Sequence, residues 1–154
     1  MEILHIAAEA VPFAKTGGLA DVAGVLSQVM AASETTSLML PEYATETIRG
    51  LAPDIVDTFT IQIGRRSVEA AIKKIKTSSR LSVYFVSQDH FFARKFLYGD
   101  EQGDYPDNFH RFLFFQKAVV EWIRRQETTF DIVHCHDWQT ALIPLLLKLQ
   151  STAR

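Results

Sequence analysis

With 154 residues and a mass of 17.4 kDa, the chain has room for one domain. Hydrophobic residues make up 47% and charged residues 22%, a globular balance that excludes disorder and low complexity. A net charge of −2 gives no electrostatic reason to coat nucleic acid or an anionic membrane, and the single cysteine, Cys135, excludes an internal disulfide or a multi-thiolate metal cluster.

Glu2–Ala8 is a short apolar run with almost no polar alternation, the pattern of a strand buried on both faces. It lacks a basic leader, and the longest apolar run, Ala141–Leu147, is far too short to cross a bilayer. With the lone cysteine, this predicts a soluble, cytoplasmic protein. A loop over Glu9–Gly18 carries Pro12 and the pair Gly17-Gly18. Leu19–Ala32 then has helical spacing, with Leu19, Val22, Ala23, Leu26, Val29 and Met30 on one face, and Ser37–Leu40 is a second buried strand stopped by Pro41. Strand, glycine turn, helix and strand make a βαβ unit with parallel pairing.

In the middle, Ile55–Ile63 and Ser67–Lys76 flank Gly64-Arg65-Arg66 and predict a β-hairpin, although Ala70–Lys74 also admits a helix. Leu81–Val86 returns to the sheet as a buried strand. Leu97–Pro106 is a polar turn-rich loop, too short to be a linker. From Asp107 to about Gln126 a long helix carries Phe109, Phe112, Phe115, Val119, Trp122 and Ile123 as its apolar stripe, with Asp107 or Asn108 as its cap. Phe130–Cys135 is another buried strand. Trp138–Leu149 is helical, with an irregular first turn to accommodate Pro144.

Chemistry concentrates at strand ends. Lys15-Thr16-Gly17-Gly18-Leu19-Ala20-Asp21 lies at the carboxyl end of a parallel strand, where open α/β sheets bind ligands. Two glycines allow close backbone approach, and the helix N-terminus with Lys15 suits a phosphate or diphosphate. The spacing is neither a P-loop nor the dinucleotide fingerprint, and a plain glycine turn beside a surface lysine is the alternative. His134-Cys135-His136-Asp137-Trp138 ends another strand. It offers either hydrogen bonds to a polar substrate such as a sugar, a His-x-His metal site, or a histidine pair satisfied by backbone. The other histidines, His5, His90 and His110, stand in unrelated contexts, so a metal lacks its usual third ligand. Tyr105 and Asn108 suit the border of a sugar site, while Asp107 reads as a cap. Cys135 reads as a small core residue rather than a nucleophile.

The opening ILHIAAEAVPFAKTGGLADVAGVL resembles the N-terminus of bacterial glycogen synthases and plant starch synthases. GDYPDNFHRFLFF and FDIVHCHDWQTALIPLLLK are similar to two further stretches of that family, in the same order. The resemblance implies an α/β fold: a Rossmann-like parallel-sheet domain with a β-hairpin insertion, the N-terminal half-domain of a GT-B glycosyltransferase. It implies a retaining glucosyltransferase moving glucose from ADP-glucose (UDP-glucose in some relatives) to the non-reducing end of an α-1,4-glucan, with no cofactor and no divalent metal. By match to the family's motifs, Lys15, Thr16, Gly17 and Gly18 contact the nucleotide sugar's phosphates or the acceptor, and Asp21 orders that loop. His136 and Asp137 hydrogen-bond the transferred glucose, and Tyr105 and Asn108 border the substrate. Family enzymes continue into a C-terminal Rossmann-like domain with the Arg and Lys that clamp the diphosphate, for which residues 1–154 have no counterpart. The chain alone is therefore expected to be a single incomplete domain, inactive by itself. The alternative is a non-catalytic glucan-binding or regulatory fragment, and an open sheet edge would allow self-association.

Overall fold

Ile3, Leu4 and Ile6 leave the first strand no polar face, so it must lie inside a sheet, and it does. In a computed structural model that describes residues 1–151, β1 (Glu2–Ile6) sits between two parallel neighbours. The last three residues of the expected 1–154 domain lie outside the described residues. In chain order, β1 is followed by α1 (Gly18–Met30), β2 (Thr35–Pro41), α2 (Glu46–Leu51), β3 (Asp54–Ile63), β4 (Arg66–Lys76) and β5 (Leu81–Ser87). Then come α3 (Asp89–Phe92), β6 (Gly99–Asp100), β7 (Gly103–Asp104), α4 (Asn108–Arg125), β8 (Ile132–Cys135), a 3-10 turn at Trp138–Thr140 and α5 (Ile143–Ser151). The main sheet has the order β3-β4-β5-β2-β1-β8. β5, β2, β1 and β8 run parallel, while β3 and β4 are the antiparallel hairpin at one edge. The fold is α/β with a mostly parallel sheet, as expected from the sequence.

The hairpin resolves the ambiguity over Ala70–Lys74 in favour of a strand. Ala70 and Ile72 alternate inward, and Gly64 takes the positive φ of 60° that the turn needs. Two short helices were not anticipated. α2 is capped by Thr45, whose hydroxyl accepts from the Ile48 amide at 3.3 Å and donates to the Phe13 carbonyl at 2.7 Å, tying it to the loop after β1. α3 is capped by Gln88, whose side chain accepts from the His90 amide.

Several expectations need correction. The buried face of α1 is Ala20, Ala23, Gly24 and Ser27, not the stripe through Val22 and Val29, which point outward with Val25 at more than half exposure. The reason is a close approach: the Val11 amide donates to the Ala20 carbonyl, and a Cβ on Gly24 would stand 2.5 Å from the Val11 carbonyl oxygen. Only small side chains fit there, so the valines are displaced to the outer face. In α4, Phe109 is 67% exposed, whereas Phe112, Phe114, Phe115, Ala118, Val119 and Trp122 are buried, because α4 packs on β3, β5 and α5 together and needs a wider stripe than one row. Asp107 occupies the α4 cap position without capping, since its carboxylate is held by Arg94 at 2.5 and 2.8 Å. β8 is an edge strand among the described residues, with Ile132 and His134 exposed, because only β1 pairs with it. The last helix begins later than expected: Pro144 sits in the first turn of α5, where its missing amide proton costs nothing.

Replacing a glycine by alanine inside a helix ordinarily gains roughly 1 kcal/mol. At Gly24 the new methyl group meets backbone that cannot rotate away, an overpacking cost of about 1–3 kcal/mol. Gly24→Ala is therefore expected to lower the urea midpoint, by up to about 2 kcal/mol in stability; a raised midpoint would show that α1 is not pressed against the Val11 segment.

Candidate functional site

Parallel strands deliver their carboxyl ends to one edge of the sheet. Ile6 pairs with Cys135 and with Met39, and the pairing continues past the strands: Ala7 donates to the Met39 carbonyl at 3.0 Å and His136 to the Ile6 carbonyl at 2.9 Å. The loop after β1 and the turn after β8 therefore leave side by side, which is where ligands meet α/β sheets.

The loop after β1 is organised by Glu9, only 4% exposed. Its carboxylate accepts from the Thr16 amide, from the Thr16 hydroxyl at 3.0 and 3.1 Å, and from the Gly17 amide at 3.2 Å. Gly17 is extended at the α1 N-cap position, so its amide is one of the donors that a helix cannot satisfy internally. With it taken, the amides of Gly18 and Leu19, in the first turn of α1, are the next donors without an acceptor inside the helix. Lys15 is half exposed and pairs with Asp21 through both carboxylate oxygens, at 2.6 and 2.7 Å.

The turn after β8 is strained. Asp137 has φ 64° and ψ −178°, a conformation almost reserved for glycine and costing an aspartate about 1–3 kcal/mol. Its carboxylate accepts from the Trp138 amide at 2.6 Å, and the Thr140 hydroxyl donates to the His136 and Asp137 carbonyls, so the turn is held from both sides. Gln116 of α4 accepts from the Leu142 amide at 2.6 Å and fixes the chain as it enters α5. His136 is 7% exposed.

His5 does not stand in an unrelated context. The β1–β8 register sets it opposite His134, its Nδ1 lies 3.2 Å from His136 Nε2, and the His134 and His136 rings stack at 4.1 Å and 22°. One nitrogen from each of the three rings lies within 4.8 Å of the others. Zinc–nitrogen bonds of about 2.0–2.1 Å require the donors to aim at one centre, and stacked rings present their edges side by side instead. Burial, reinforced by His134, holds the pKa of His5 at about 4; burial, then His134 and His5, does the same for His136. Both rings are neutral at pH 7. Cys135 is half-buried, and burial raises its thiol to about 11, which leaves it unreactive.

The third stretch joins the first through a residue the sequence did not single out. The Tyr98 hydroxyl donates to Glu9 at 3.2 Å, and burial, Glu9 and Asp137 together raise its pKa. Tyr98 thus stands between the two strand ends, and its ring packs on Phe112, which packs in turn on Trp138. The expected border residues serve the loop itself. Asn108 donates to the Tyr98 carbonyl at 2.7 Å and accepts from Arg111 at 2.6 Å, while the guanidinium groups of Arg94 and Arg111 both pack on the Tyr105 ring, 4.8 and 5.1 Å from its centre. Arg111 is wholly buried and also donates to the carbonyls of Phe91 and Leu97; burial lowers its pKa. Glu9, His5, Tyr98 and Arg111 were therefore missed as site-building residues.

Against protein families, residues 2–154 match the starch synthase catalytic domain. The chain belongs to that family. It is 40% identical over 157 residues to a glycogen synthase of Geotalea uraniireducens, covering 96% of this chain and 31% of that protein. A glycogen synthase of Rhodopirellula baltica is 39% identical, with 98% and 32% covered. Among solved structures, the catalytic domain of starch synthase IV from Arabidopsis thaliana, bound to ADP and acarbose, superposes with a TM-score of 0.73 at 29% identity, covering 98% of this chain and 31% of that one. The chain thus spans about a third of the length of these relatives. No helix among the described residues is long and apolar enough to cross a membrane.

An unfolded histidine takes its proton near pH 6.5, whereas His5 and His136 in the fold resist it until about pH 4. Between those values the unfolded chain binds more protons, so stability falls as pH drops through that window. Denaturant titrations are expected to show a lower midpoint at pH 5 than at pH 7, and a His5→Gln variant a flatter profile. An unchanged midpoint in the parent chain would mean that these imidazoles are not buried neutral.

Proposed function

We propose that this chain forms the N-terminal part of a retaining glucosyltransferase of glycogen or starch synthesis, moving glucose from ADP-glucose to the non-reducing end of an α-1,4-glucan in the cytoplasm. The observation that carries the reading is the meeting at one sheet edge of the glycine loop, the strained His136-Asp137 turn and the 97–108 loop. Family membership supports it, as do relatives named glycogen synthase and a similar starch synthase bound to ADP and acarbose.

Each group has work suited to its surroundings. An exposed ion pair is worth little, so a diphosphate can draw Lys15 away from Asp21, with the Gly18 and Leu19 amides completing its reception. Thr16 and Gly17 shape the loop, and Asp21 holds Lys15 between ligands. His136 is neutral, so it acts on glucose as a hydrogen-bonding partner rather than as a charge, with Asp137 beside it on the strained turn. Tyr105 and Asn108 contribute by holding the 97–108 loop against the substrate.

Leaving-group stabilisation dominates such transfers, and one half-neutralised lysine cannot supply it. In this reading the activity belongs to a two-domain GT-B protein whose other domain adds the cations. The open edge of β8 offers a place for further pairing, including self-association. The glucan-binding alternative draws on the same observation, since Lys15 is already paired.

Fused to the remaining two thirds of a relative, the chain is expected to transfer glucose from ADP-glucose. There, Lys15→Ala should weaken ADP-glucose binding about tenfold or more, and His136→Ala should cut turnover by roughly 10²–10³ while changing nucleotide affinity far less. Loss of nucleotide affinity without loss of turnover in the His136 variant would move that residue from the sugar to the nucleotide. Elemental analysis of the purified chain should find no stoichiometric zinc; one zinc per chain would turn the three imidazoles into a metal centre.

A further inference from the structure

Glu9 is a buried carboxylate that no arginine or lysine neutralises among the described residues, and every hydrogen bond it accepts comes from one of two loops. Thr16 and Gly17 approach from the glycine loop, seven and eight residues on, and Tyr98 approaches from 89 residues away. An ionised carboxylate has about four acceptor positions, and these contacts fill them. Burial without such bonds would cost it several kcal/mol, so the carboxylate stays only where both loops keep their donors on it.

From this we infer that Glu9 is a positioning residue: it locks the glycine loop and the 97–108 loop into one unit and selects which loop amides meet the substrate. The inference rests on the proposed function, in which those loops receive the nucleotide sugar and the glucan. Glu9 itself is 4% exposed, with its acceptor positions taken by the two loops. By turning the Thr16 and Gly17 amides inward, it leaves the first exposed amide at Gly18, so the diphosphate is received one residue beyond the start of the glycine pair. By holding the Tyr98 hydroxyl, it carries the loop's position to Asn108 and Tyr105, both of which bond or pack through the Tyr98 backbone and Arg111. No apolar residue can do this, and a glutamine does half of it, because one of its two polar ends is a donor.

The test uses the isotopically labelled chain and amide hydrogen exchange. Glu9→Gln should speed exchange at Thr16 and Gly17 at least tenfold while distant strand amides keep their rates. Tyr98→Phe, which removes one hydroxyl, should speed exchange in the glycine loop although it lies in the other loop. Combined with Glu9→Gln it should add less than it does alone, since the shared partner is already weakened. A chemical-shift titration with ADP-glucose should move the Gly18 amide in the parent chain, and the apparent Kd should rise several-fold in Glu9→Gln and further in Glu9→Ala. Should Glu9→Ala not fold, the other two variants carry the test. Glycine-loop exchange indifferent to Tyr98→Phe would overturn the lock, and faster exchange with unchanged ADP-glucose affinity would reduce Glu9 to a structural residue. Failure of the chain, fused to the remaining two thirds of a relative, to bind ADP-glucose, with the exchange coupling intact, would instead sink the glucosyltransferase reading and remove the substrate role while leaving the lock.

Discussion

Everything at the candidate site depends on the parallel pairing of β1 with β8. The two strands lie about 130 residues apart in sequence, yet His5 stands opposite His134 and Ile6 opposite Cys135. A shift of one residue would exchange the faces of every side chain in β8 and carry His136 away from His5. Because the pairing is parallel, the strands do more than share hydrogen bonds: they bring two loops out at one edge, and the glycine loop meets the His136-Asp137 turn only for that reason. Tyr98 then fills the angle between them, within electrostatic reach of Glu9 and Asp137.

The polar groups of this edge are arranged against the grain of ordinary stability. Glu9 and Arg111 are buried without a carboxylate–guanidinium pair between them, two histidines are kept neutral by burial, and Asp137 holds a backbone conformation suited to glycine. Each costs free energy, and each is over-determined by neighbours: Thr16, Gly17 and Tyr98 around Glu9, backbone carbonyls and aromatic faces around Arg111, Thr140 and Trp138 around Asp137. Strain clustered in one place and absorbed there is the mark of a binding edge rather than of a core.

Much of this was legible in the residues. The apolar run of β1, the glycine turn, the alternating hairpin and the strand ending in His-x-His gave the parallel sheet and placed two of the three loops. What escaped were facts about pairs of distant residues. Periodicity reports that a helix has an apolar face, but not that Val11 crosses α1 so closely that only Ala20, Ala23, Gly24 and Ser27 fit beneath it. Phe109 continues a helical row and still faces outward, because α4 is wedged among β3, β5 and α5 rather than laid on one surface. His5 and Glu9 looked like a strand histidine and a loop acid. Had the strand Phe130–Cys135 been aligned in parallel beside Glu2–Ile6, His5 would have fallen next to His134; for Glu9 no local signal marks the contact with Tyr98.

Among the described residues, the edge position of β8 also makes it a place of local opening. β8 has four residues and two side chains exposed to water, and, like β3 at the opposite edge, one paired neighbour among the described residues, so its hydrogen bonds are cheaper to break than those of the central strands. Opening it separates His136 from His5 and Asp137 from the 97–108 loop while β1, β2 and β5 stay intact. In the proposed reading, a ligand bridging the glycine loop and the His136-Asp137 turn binds only the closed form, and its binding energy would appear as added protection of a single strand rather than of the whole domain.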